Sequence, residues 1–392
     1  MTAYLNQLGV VSALGSGLDA MRETLFATQP GGLQESPFFA EDRPLFLGHV
    51  REAMPSLSHH HERQRSRNNG LLLLALNQIR PAVEQAISKY GPHRVGIALG
   101  TSTSGIGEGE LAVRKWIREG GIPSDYHYAK QELGAPATFL ARELGVTGPS
   151  NVISTACSSS ARSMAAAARW LDAGLVDAVI TGGADSLCRF TIAGFSCLDS
   201  VSPQRCNPFS KNRRGINIGE AATLFLMTRE RAEVRLAGWG ETSDAHHMSA
   251  PEPSGRGAAE AMREALKRAG LQPGAIGYVN LHGTATPHND AMESRAVEQV
   301  LGLDTWVSST KSLHGHTLGA SGALEAAISW LTLTDAAGRL PPHWYDGEYD
   351  PELPKVKLVP AGQRGARPGA VLSNSFAFGG SNATLCLARE LA

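Results

Sequence analysis

The chain has 392 residues, of which 42% are hydrophobic, and this is enough for a large core built from two or three domain-sized units. Its 36 basic and 37 acidic residues leave a net charge of -1, so the overall charge does not favour nucleic acid or an anionic membrane as a partner. Five cysteines without a CxxC pair, an N-terminus without a signal-peptide pattern and no long apolar run predict a cytoplasmic protein without a disulfide framework or a membrane span.

Residues 29–70 form the least regular part of the chain, and they contain three consecutive histidines at 59–61. Consecutive histidines rarely converge on one ion, and no acidic or cysteine ligand is interleaved with them at a suitable spacing. We therefore interpret this segment as polar surface and predict no metal site.

Short apolar runs bounded by Gly or Ser follow, and such runs are typical of strands buried on both faces of a sheet. Helices are predicted between them, for example at 257–269 and 321–336. Three segments recur in the same order: 95–105 matches 276–287, 151–168 matches 306–328, and 177–186 matches 369–380. The recurrence predicts a layered α/β fold from two similar halves, residues 1–232 and 233–392, related by a pseudo-twofold axis.

Cys157 lies between a predicted strand and an alanine-rich helix pattern that begins near Ser158. The N-terminus of a helix favours an anion by roughly 0.3–1 kcal/mol, so this position predicts a stabilised thiolate and a nucleophile. The alternative is a small buried core thiol, the usual state of cysteine. We assign that alternative to the other four cysteines, which are Cys188, Cys197, Cys206 and Cys386.

The second half of the chain offers partners for this cysteine. His282 directly follows a predicted strand, and Lys311 and His316 lie on the loop that mirrors the cysteine loop. A pseudo-twofold axis would bring mirrored loops to a common centre, so we expect these side chains to share one pocket with Cys157. His314 has no mirrored counterpart and is interpreted as structural.

Four segments of the chain resemble those of a known protein family. STACSSSA, HGTATPHND, TKSLHGHTLGASGALEAA and NSFAFGGSN are similar, in this order, to the signature segments of the β-ketoacyl-[acyl carrier protein] synthases, and the similarity covers essentially the whole chain. The resemblance implies a thiolase-like five-layered α-β-α-β-α fold and a dimer. It also implies a ketosynthase that condenses an acyl-cysteine with malonyl-ACP (ACP, acyl carrier protein) in a decarboxylative Claisen reaction, giving 3-oxoacyl-ACP. No cofactor is implied beyond the phosphopantetheine arm of ACP.

The resemblance also implies roles for individual residues. Cys157 matches the acyl-accepting nucleophile. His282 and His316 match the two histidines that handle malonyl decarboxylation and bind the thioester carbonyl. Lys311 matches the lysine that orders the second of these histidines, and Glu325 matches the acidic residue that supports the network.

Three further positions match residues around the substrate. Phe378 matches the gating phenylalanine, whose N–H joins that of the nucleophile in an oxyanion hole. Thr284 and Thr286 match the threonines that hydrogen-bond phosphopantetheine. The gate departs from the family at Ala377, where glycine is usual, and we expect this to affect how the loop opens.

The segment RQRSRNNGLLLLAL resembles ketosynthases of aryl polyene pigment clusters. This resemblance implies unsaturated aryl-polyenoyl chains and a heterodimer with a chain-length-factor-like partner. Fatty acid, polyketide and aryl polyene elongation all stay open at this point, as do a homodimer and a heterodimer.

Docking of an acidic carrier protein needs positive charge near the mouth of the pocket. Two basic clusters are candidates: Arg63, Arg65 and Arg67, and then Arg205, Lys211, Arg213 and Arg214. The alternative for both clusters is a solvated charged face or internal ion pairs.

Three other functions are alternatives. A non-catalytic chain-length-factor-like subunit would lack the nucleophile, whereas this chain has Cys157 with both histidines. A thiolase or ketoacyl synthase III relative uses a Cys-His-Cys or Cys-His-Asn set, and the segment KSLHGH argues against it. A zinc protein needs a closed ligand set, and nothing in the sequence supplies the usual spacing.

Overall fold

The computed structural model describes residues 3–40 and 44–390, and all elements below lie within them. The strands are β1 (Ala3–Ser12), β2 (Gly15–Ser16), β3 (Gln34–Ser36), β4 (Leu45–Leu47), β5 (Val95–Gly100), β6 (Ser150–Ile153), β7 (Ala178–Asp185), β8 (Ala221–Thr228), β9 (Val234–Ser243), β10 (Ile276–Asn280), β11 (Trp306–Ser308), β12 (Lys357–Leu358), β13 (Ala370–Ala377) and β14 (Ser381–Arg389). The helices are α1 (Leu18–Leu25), α2 (Arg67–Tyr90), α3 (Ile106–Glu119), α4 (Ala135–Leu144), α5 (Ser159–Asp172), α6 (Arg189–Cys197), α7 (Arg256–Ala269), α8 (Pro287–Leu301), α9 (Lys311–His314) and α10 (Ser321–Thr334).

The strand order repeats in the two halves of the chain. It is β6-β5-β7-β8-β1 in the first half and β11-β10-β13-β14-β9 in the second. In each set the first three strands are mutually parallel and the last two alternate in direction. The three recurring sequence segments therefore occupy equivalent places, while a domain boundary between residues 232 and 233 stays a prediction.

Helices α5 and α10 pack against each other between the two strand sets and form the central layer. Small side chains allow the close approach: a Cβ added to Gly322 would lie 2.7 Å from the Cβ of Ala161. Helix α2 packs on β1, β7 and β8, and α7 packs on β9, β13 and β14. The α-β-α-β-α order and the predicted burial of the alanine-rich helix are confirmed.

Helices α7 and α10 lie within one or two residues of the predicted bounds. Cys188, Cys206 and Cys386 are buried as predicted, but Cys197 is exposed because it ends the short surface helix α6. No helix in the described part of the chain is long and apolar enough to cross a membrane.

The outer edges of the two strand sets differ. Strand β11 is paired on its outer side with the short strand β12. The corresponding strand β6 pairs with β5, and its other edge has no strand partner among the described residues. An open edge presents unpaired backbone N–H and C=O groups and is a template for pairing with another chain.

Candidate active site

Cys157 lies on a sharp bend between β6 and α5. Ala156 has φ = 49°, a conformation that costs a non-glycine residue on the order of 1–3 kcal/mol. Its carbonyl accepts a hydrogen bond from Ser102 Oγ at 3.3 Å. The bend therefore aims the thiol away from the sheet and into a pocket that Cys157 lines together with His282 and His316.

The structure brings the cysteine and both histidines together. The Sγ atom of Cys157 lies 3.0 Å from Nε2 of His316. The imidazole centroids of His282 and His316 are 5.3 Å apart, with ring planes at 81°. Sγ and one ring nitrogen from each histidine all lie within 4.8 Å of one another. One thioester can thus contact all three groups.

Burial sets the protonation state of the nucleophile. It raises the pKa of the Cys157 thiol from 9.0 to about 12, although Lys311 and the backbone N–H groups of Phe378 and Cys157 act in the opposite direction. This rise corresponds to roughly 4 kcal/mol, which exceeds the 0.3–1 kcal/mol expected from a helix dipole. Burial therefore opposes the stabilised thiolate expected from the helix terminus and favours a neutral thiol in the resting site.

Both histidines are neutral as well. Burial, and after it the positive charge of Lys311, holds the pKa values of His282 and His316 well below the usual range. The Nζ atom of Lys311 lies 3.4 Å from Nδ1 of His282. Because an ammonium group only donates, Nδ1 of His282 is the acceptor and its proton is on Nε2. For His316, Nδ1 lies 2.9 Å from the hydroxyl of Ser321, which suits either tautomer.

Lys311 contacts the first histidine and not the second. Its ammonium group donates to the backbone carbonyl of His282 and forms a buried ion pair with Glu325. Ser321, not Lys311, holds the ring of His316. Burial raises the pKa of Glu325 to about 7, and its Oε2 atom is buried without a hydrogen-bond partner.

Three residues of the site were not found from the sequence, namely Glu293, Ser321 and Asp185. Glu293 accepts hydrogen bonds from the backbone N–H groups of His282 at 2.8 Å and Gly283 at 2.7 Å. An acidic side chain in the helix that follows a Gly-Thr turn was the available signal, because free N–H groups there need an acceptor. Asp185 is buried at the end of β7 and bonds both Ser102 N, at 2.9 Å, and Gly319 N, at 2.6 Å.

The predicted substrate contacts line the same pocket as the cysteine. The hydroxyl oxygens of Thr284 and Thr286 are 2.9 Å apart, and the ring of Phe378 packs against that of Phe195 with centroids 5.7 Å apart. Ala377 has an extended backbone with φ = -107°, which any residue adopts, so alanine fits here without strain. An effect of Ala377 on opening of the loop stays a prediction.

Three of the seven docking candidates make internal contacts. Arg213 forms ion pairs with Asp350 at 2.5 Å and with the buried Asp290 at 4.0 Å. Arg67 forms an ion pair with the fully buried carboxylate of Glu220. Arg205 is partly buried and donates to the backbone carbonyls of Gly31 and Leu33, each at 3.2 Å. The internal alternative therefore describes these three arginines, because docking would need their guanidinium groups free.

The other four candidates lie at the surface. Arg65 folds back onto two backbone carbonyls of its own loop, at 2.7 and 3.0 Å. Lys211 forms an exposed ion pair with Glu348 at 2.7 Å, and Arg63 is exposed. Arg214, in the same cluster as Lys211, is exposed next to Gly215, which lines the pocket.

Two groups of side chains in the described ranges are close enough to share a metal ion. One is the trio of Cys157, His282 and His316. A cation there would lie close to the buried ammonium group of Lys311, which is 3.4 Å from His282 and disfavours a second positive charge. The other group contains His59 and His60 and is considered below.

The cysteine has two histidines beside it. The thiolase-type alternatives would instead have one histidine and either a second cysteine or an asparagine, so the observed set narrows the class of protein. Within a thiolase-like fold, this set is that of an elongating condensing enzyme. Its chemistry requires a nucleophile for the acyl group and two neutral N–H donors for a developing enolate.

Comparison with known proteins gives the family. Residues 16–232 match the beta-ketoacyl synthase N-terminal domain, and residues 233–344 match the beta-ketoacyl synthase C-terminal domain. The chain is 31% identical to the 3-oxoacyl-[acyl-carrier-protein] synthase 2 of Synechocystis sp., over 96% of this chain and 95% of the relative. The enzyme of the same name from Coxiella burnetii is also 31% identical, over 97% of each chain. This chain belongs to the beta-ketoacyl synthase family.

Solved structures agree. A chain of the Xenorhabdus doucetiae complex between the ketosynthase ApeO and its chain length factor ApeC is 45% identical, with a TM-score of 0.95 over 99% of this chain and 98% of that chain. The ishigamide ketosynthase/chain length factor superposes with a TM-score of 0.89 at 26% identity, over 100% of this chain and 99% of that one.

The pKa of Glu325 predicts a pH effect on the reaction. Below pH 7 the carboxylate takes up a proton and its ion pair with Lys311 is lost, so we expect the rate of malonyl-ACP decarboxylation to fall with an apparent pKa near 7. Misplacing Lys311 and His282 should cost up to about a hundredfold.

The pH–rate profile of Glu325→Gln checks this. The glutamine is permanently neutral, so the variant should be slow at every pH and should lack the acidic limb. Glu293 also has a pKa of about 7 and lies beside His282. An acidic limb that persists unchanged in Glu325→Gln would assign the titration to Glu293 and contradict the prediction.

Proposed function

We propose that this protein is an elongating ketosynthase in which Cys157 carries the growing acyl chain and His282 and His316 promote decarboxylation of malonyl-ACP. The observation that carries the proposal is the 3.0 Å contact between Cys157 Sγ and His316 Nε2 in a pocket that Phe378 also lines. The phosphopantetheine arm of ACP delivers both substrates, and Thr284 and Thr286 hold it by hydrogen bonds.

The first half-reaction transfers the acyl group. Sγ of Cys157 attacks the thioester carbonyl of acyl-ACP, and the backbone N–H groups of Cys157 and Phe378 stabilise the oxyanion. His316 Nε2 takes the thiol proton during the attack and returns it to the departing phosphopantetheine sulfur. The tetrahedral intermediate then collapses and the C–S bond to the carrier breaks, so the products are acyl-Cys157 and free holo-ACP.

The second half-reaction forms the carbon–carbon bond. Malonyl-ACP loses CO2, and the electron pair of the broken bond moves into an enolate whose oxygen accepts a hydrogen bond from Nε2–H of His282. His316 donates in the same way when Ser321 holds its other tautomer. The enolate carbon then attacks the acyl carbonyl, the C–S bond to Cys157 breaks, and the departing thiolate takes up one proton from solvent by way of His316. The product is 3-oxoacyl-ACP, two carbons longer.

The same residues argue against a non-catalytic chain-length-factor-like role. Such a subunit lacks the nucleophile, whereas this chain holds Cys157 against His316 and retains the oxyanion donors. For the pathway, we propose aryl polyene elongation, on the resemblance of the residue 63–76 segment to ketosynthases of those clusters. The 45% identity to a chain of a ketosynthase–chain length factor complex supports a heterodimer.

Two variants separate the half-reactions. Cys157→Ala should take up no acyl group but should still decarboxylate malonyl-ACP, because the histidines stay in place. His282→Ala should form acyl-Cys157 at a near-normal rate and lose decarboxylation by about 10²–10³-fold, the usual cost of one oxyanion donor. Intact-mass spectrometry after incubation with acyl-ACP and CO2 release from malonyl-ACP give the two readouts.

The matched control is Cys197→Ala, which removes the exposed thiol of the chain. It should keep both activities. Acylation of Cys157→Ala to the level of the unmodified protein would contradict the assignment of the nucleophile.

We propose that the partner chain covers an apolar surface formed by α3 and α6. The surface, called the α3 face here, exposes five large hydrophobic side chains: Val113, Trp116, Ile117, Ile122 and Phe190. Four of them, all but Ile117, line one broad groove. Exposed patches of this size mark interaction sites, and a second chain of the same fold can also extend the sheet from β6.

Trp116→Asp tests this surface. Loss of a central aromatic anchor should weaken assembly by on the order of 2 kcal/mol, which is about thirtyfold in affinity. Native mass spectrometry, of the chain alone and with a coexpressed chain-length-factor-like partner, gives the oligomeric state. Leu175→Asp, an equally exposed leucine outside the groove, should have no effect. Equal behaviour of the two variants would contradict the α3 face as the interface.

For carrier docking, we propose the surface beside Gly215, which carries Arg214 and Lys211. Arg214→Glu should raise the KM for ACP-bound substrate by about tenfold at low salt and leave that for a pantetheine thioester unchanged, because only ACP is acidic. Arg63→Glu reverses an equally exposed charge in the other cluster and should change neither. A similar rise in KM for the ACP-bound and pantetheine thioesters in Arg214→Glu would contradict docking at this surface. A rise in KM in Arg63→Glu alone would contradict it too.

A further inference from the structure

Three side chains outside the active site converge at the surface of the first half. His59 and His60 lie on the loop before α2, and Glu143 lies in the last turn of α4. One ligand atom from each lies within 4.8 Å of the other two. The sequence offers no acidic residue interleaved with the histidines, but the fold supplies one from a helix far along the chain.

His60 is the most informative member of the group. Its side chain is only 9% exposed and packs against the ring of Phe139, with centroids 5.0 Å apart. Its Nε2 atom is buried without a hydrogen-bond partner, although Oε2 of Glu143 is 3.5 Å away. A buried nitrogen beside an oxygen that it does not bond is costly unless a third group joins the two.

We propose that His59, His60 and Glu143 form a binding site for Zn²⁺ or a similar transition-metal ion. Tetrahedral zinc with bonds of about 2.0–2.2 Å places its ligand atoms roughly 3.3–3.6 Å apart. The 3.5 Å separation of His60 Nε2 and Glu143 Oε2 matches this distance. His59 is exposed and its ring lies 4.2 Å from that of His60, so a side-chain rotation brings in the third ligand.

The surroundings select the kind of metal. Arg80 donates to Oε1 of Glu143 at 2.5 Å, which orients Oε2 towards His60 and offsets the negative charge. Two imidazoles and one partly neutralised carboxylate suit zinc and its neighbours, whereas Ca²⁺ and Mg²⁺ need more oxygen ligands. Water would complete the coordination. The bound ion would tie the loop before α2 to α4, and this is independent of the proposed ketosynthase activity.

Titration with Zn²⁺ alone tests the site, by calorimetry and by the shift in Tm. All proteins carry Cys157→Ala, so that the catalytic trio cannot hold the metal through a thiolate. We expect one zinc per chain, a rise in Tm, and at least tenfold weaker binding in His60→Ala and Glu143→Gln. His61→Ala removes the third histidine of the triplet, which is outside the group, and should bind as tightly as the parent.

Co²⁺ identifies the ligands in the unmodified chain. Nitrogen and oxygen ligands give visible d–d bands without the thiolate-to-cobalt charge-transfer band that Cys157 would produce. If His60→Ala folds poorly, His59→Ala at an exposed position gives the same comparison. No zinc binding, equal weakening in His61→Ala, or a thiolate band would overturn the proposal, and none of these results bears on ketosynthase activity.

Discussion

The contact between Cys157 Sγ and His316 Nε2 joins the two halves of the chain, and the chemistry of the site depends on it. Helices α5 and α10 begin within a few residues of these two side chains and pack against each other in the central layer. Their separation is limited by small residues, since nothing larger than a hydrogen fits at Gly322 over Ala161. Helix packing in the core thus sets a distance on which acyl transfer depends.

Burial gives the site its electrostatic character. Burial and the positive charge of Lys311, which pairs with Glu325 inside the protein, keep the two histidines neutral, as the proposed role of hydrogen-bond donor requires. The same lysine fixes the tautomer of His282, whereas a hydroxyl partner leaves His316 free to accept a proton in one step and donate one in the next. One histidine is held in a single state and the other can change, as two successive half-reactions require.

Much of this arrangement could be predicted from the sequence. The recurring segments predicted two halves with equivalent strand order, and mirrored loops predicted that Cys157 would meet His282 and His316. Periodicity and turns are local properties, so helix bounds such as Arg256–Ala269 were also close. The exposure of Cys197 was missed because a short helix carries little pattern to show which side faces solvent.

Features that depend on tertiary contacts could not be predicted. Whether Lys311 meets His282 or His316 depends on side-chain direction, which the order of residues does not show. The charge cluster at 63–67 gave no sign that Arg67 points inwards to a buried glutamate from a distant segment. The state of the Cys157 thiol was missed because a helix terminus is visible in sequence, whereas the depth of burial that outweighs it is not.

The raised pKa of Cys157 has a consequence for the time between turnovers. Peroxides and small electrophiles react with thiolates far faster than with thiols, so an enclosed, protonated sulfur escapes oxidative damage while it waits. The thiol reacts only when a bound thioester places its carbonyl within reach and its departing sulfur can take up the thiol proton. Burial thereby protects the sulfur that carries the acyl chain in the proposed mechanism.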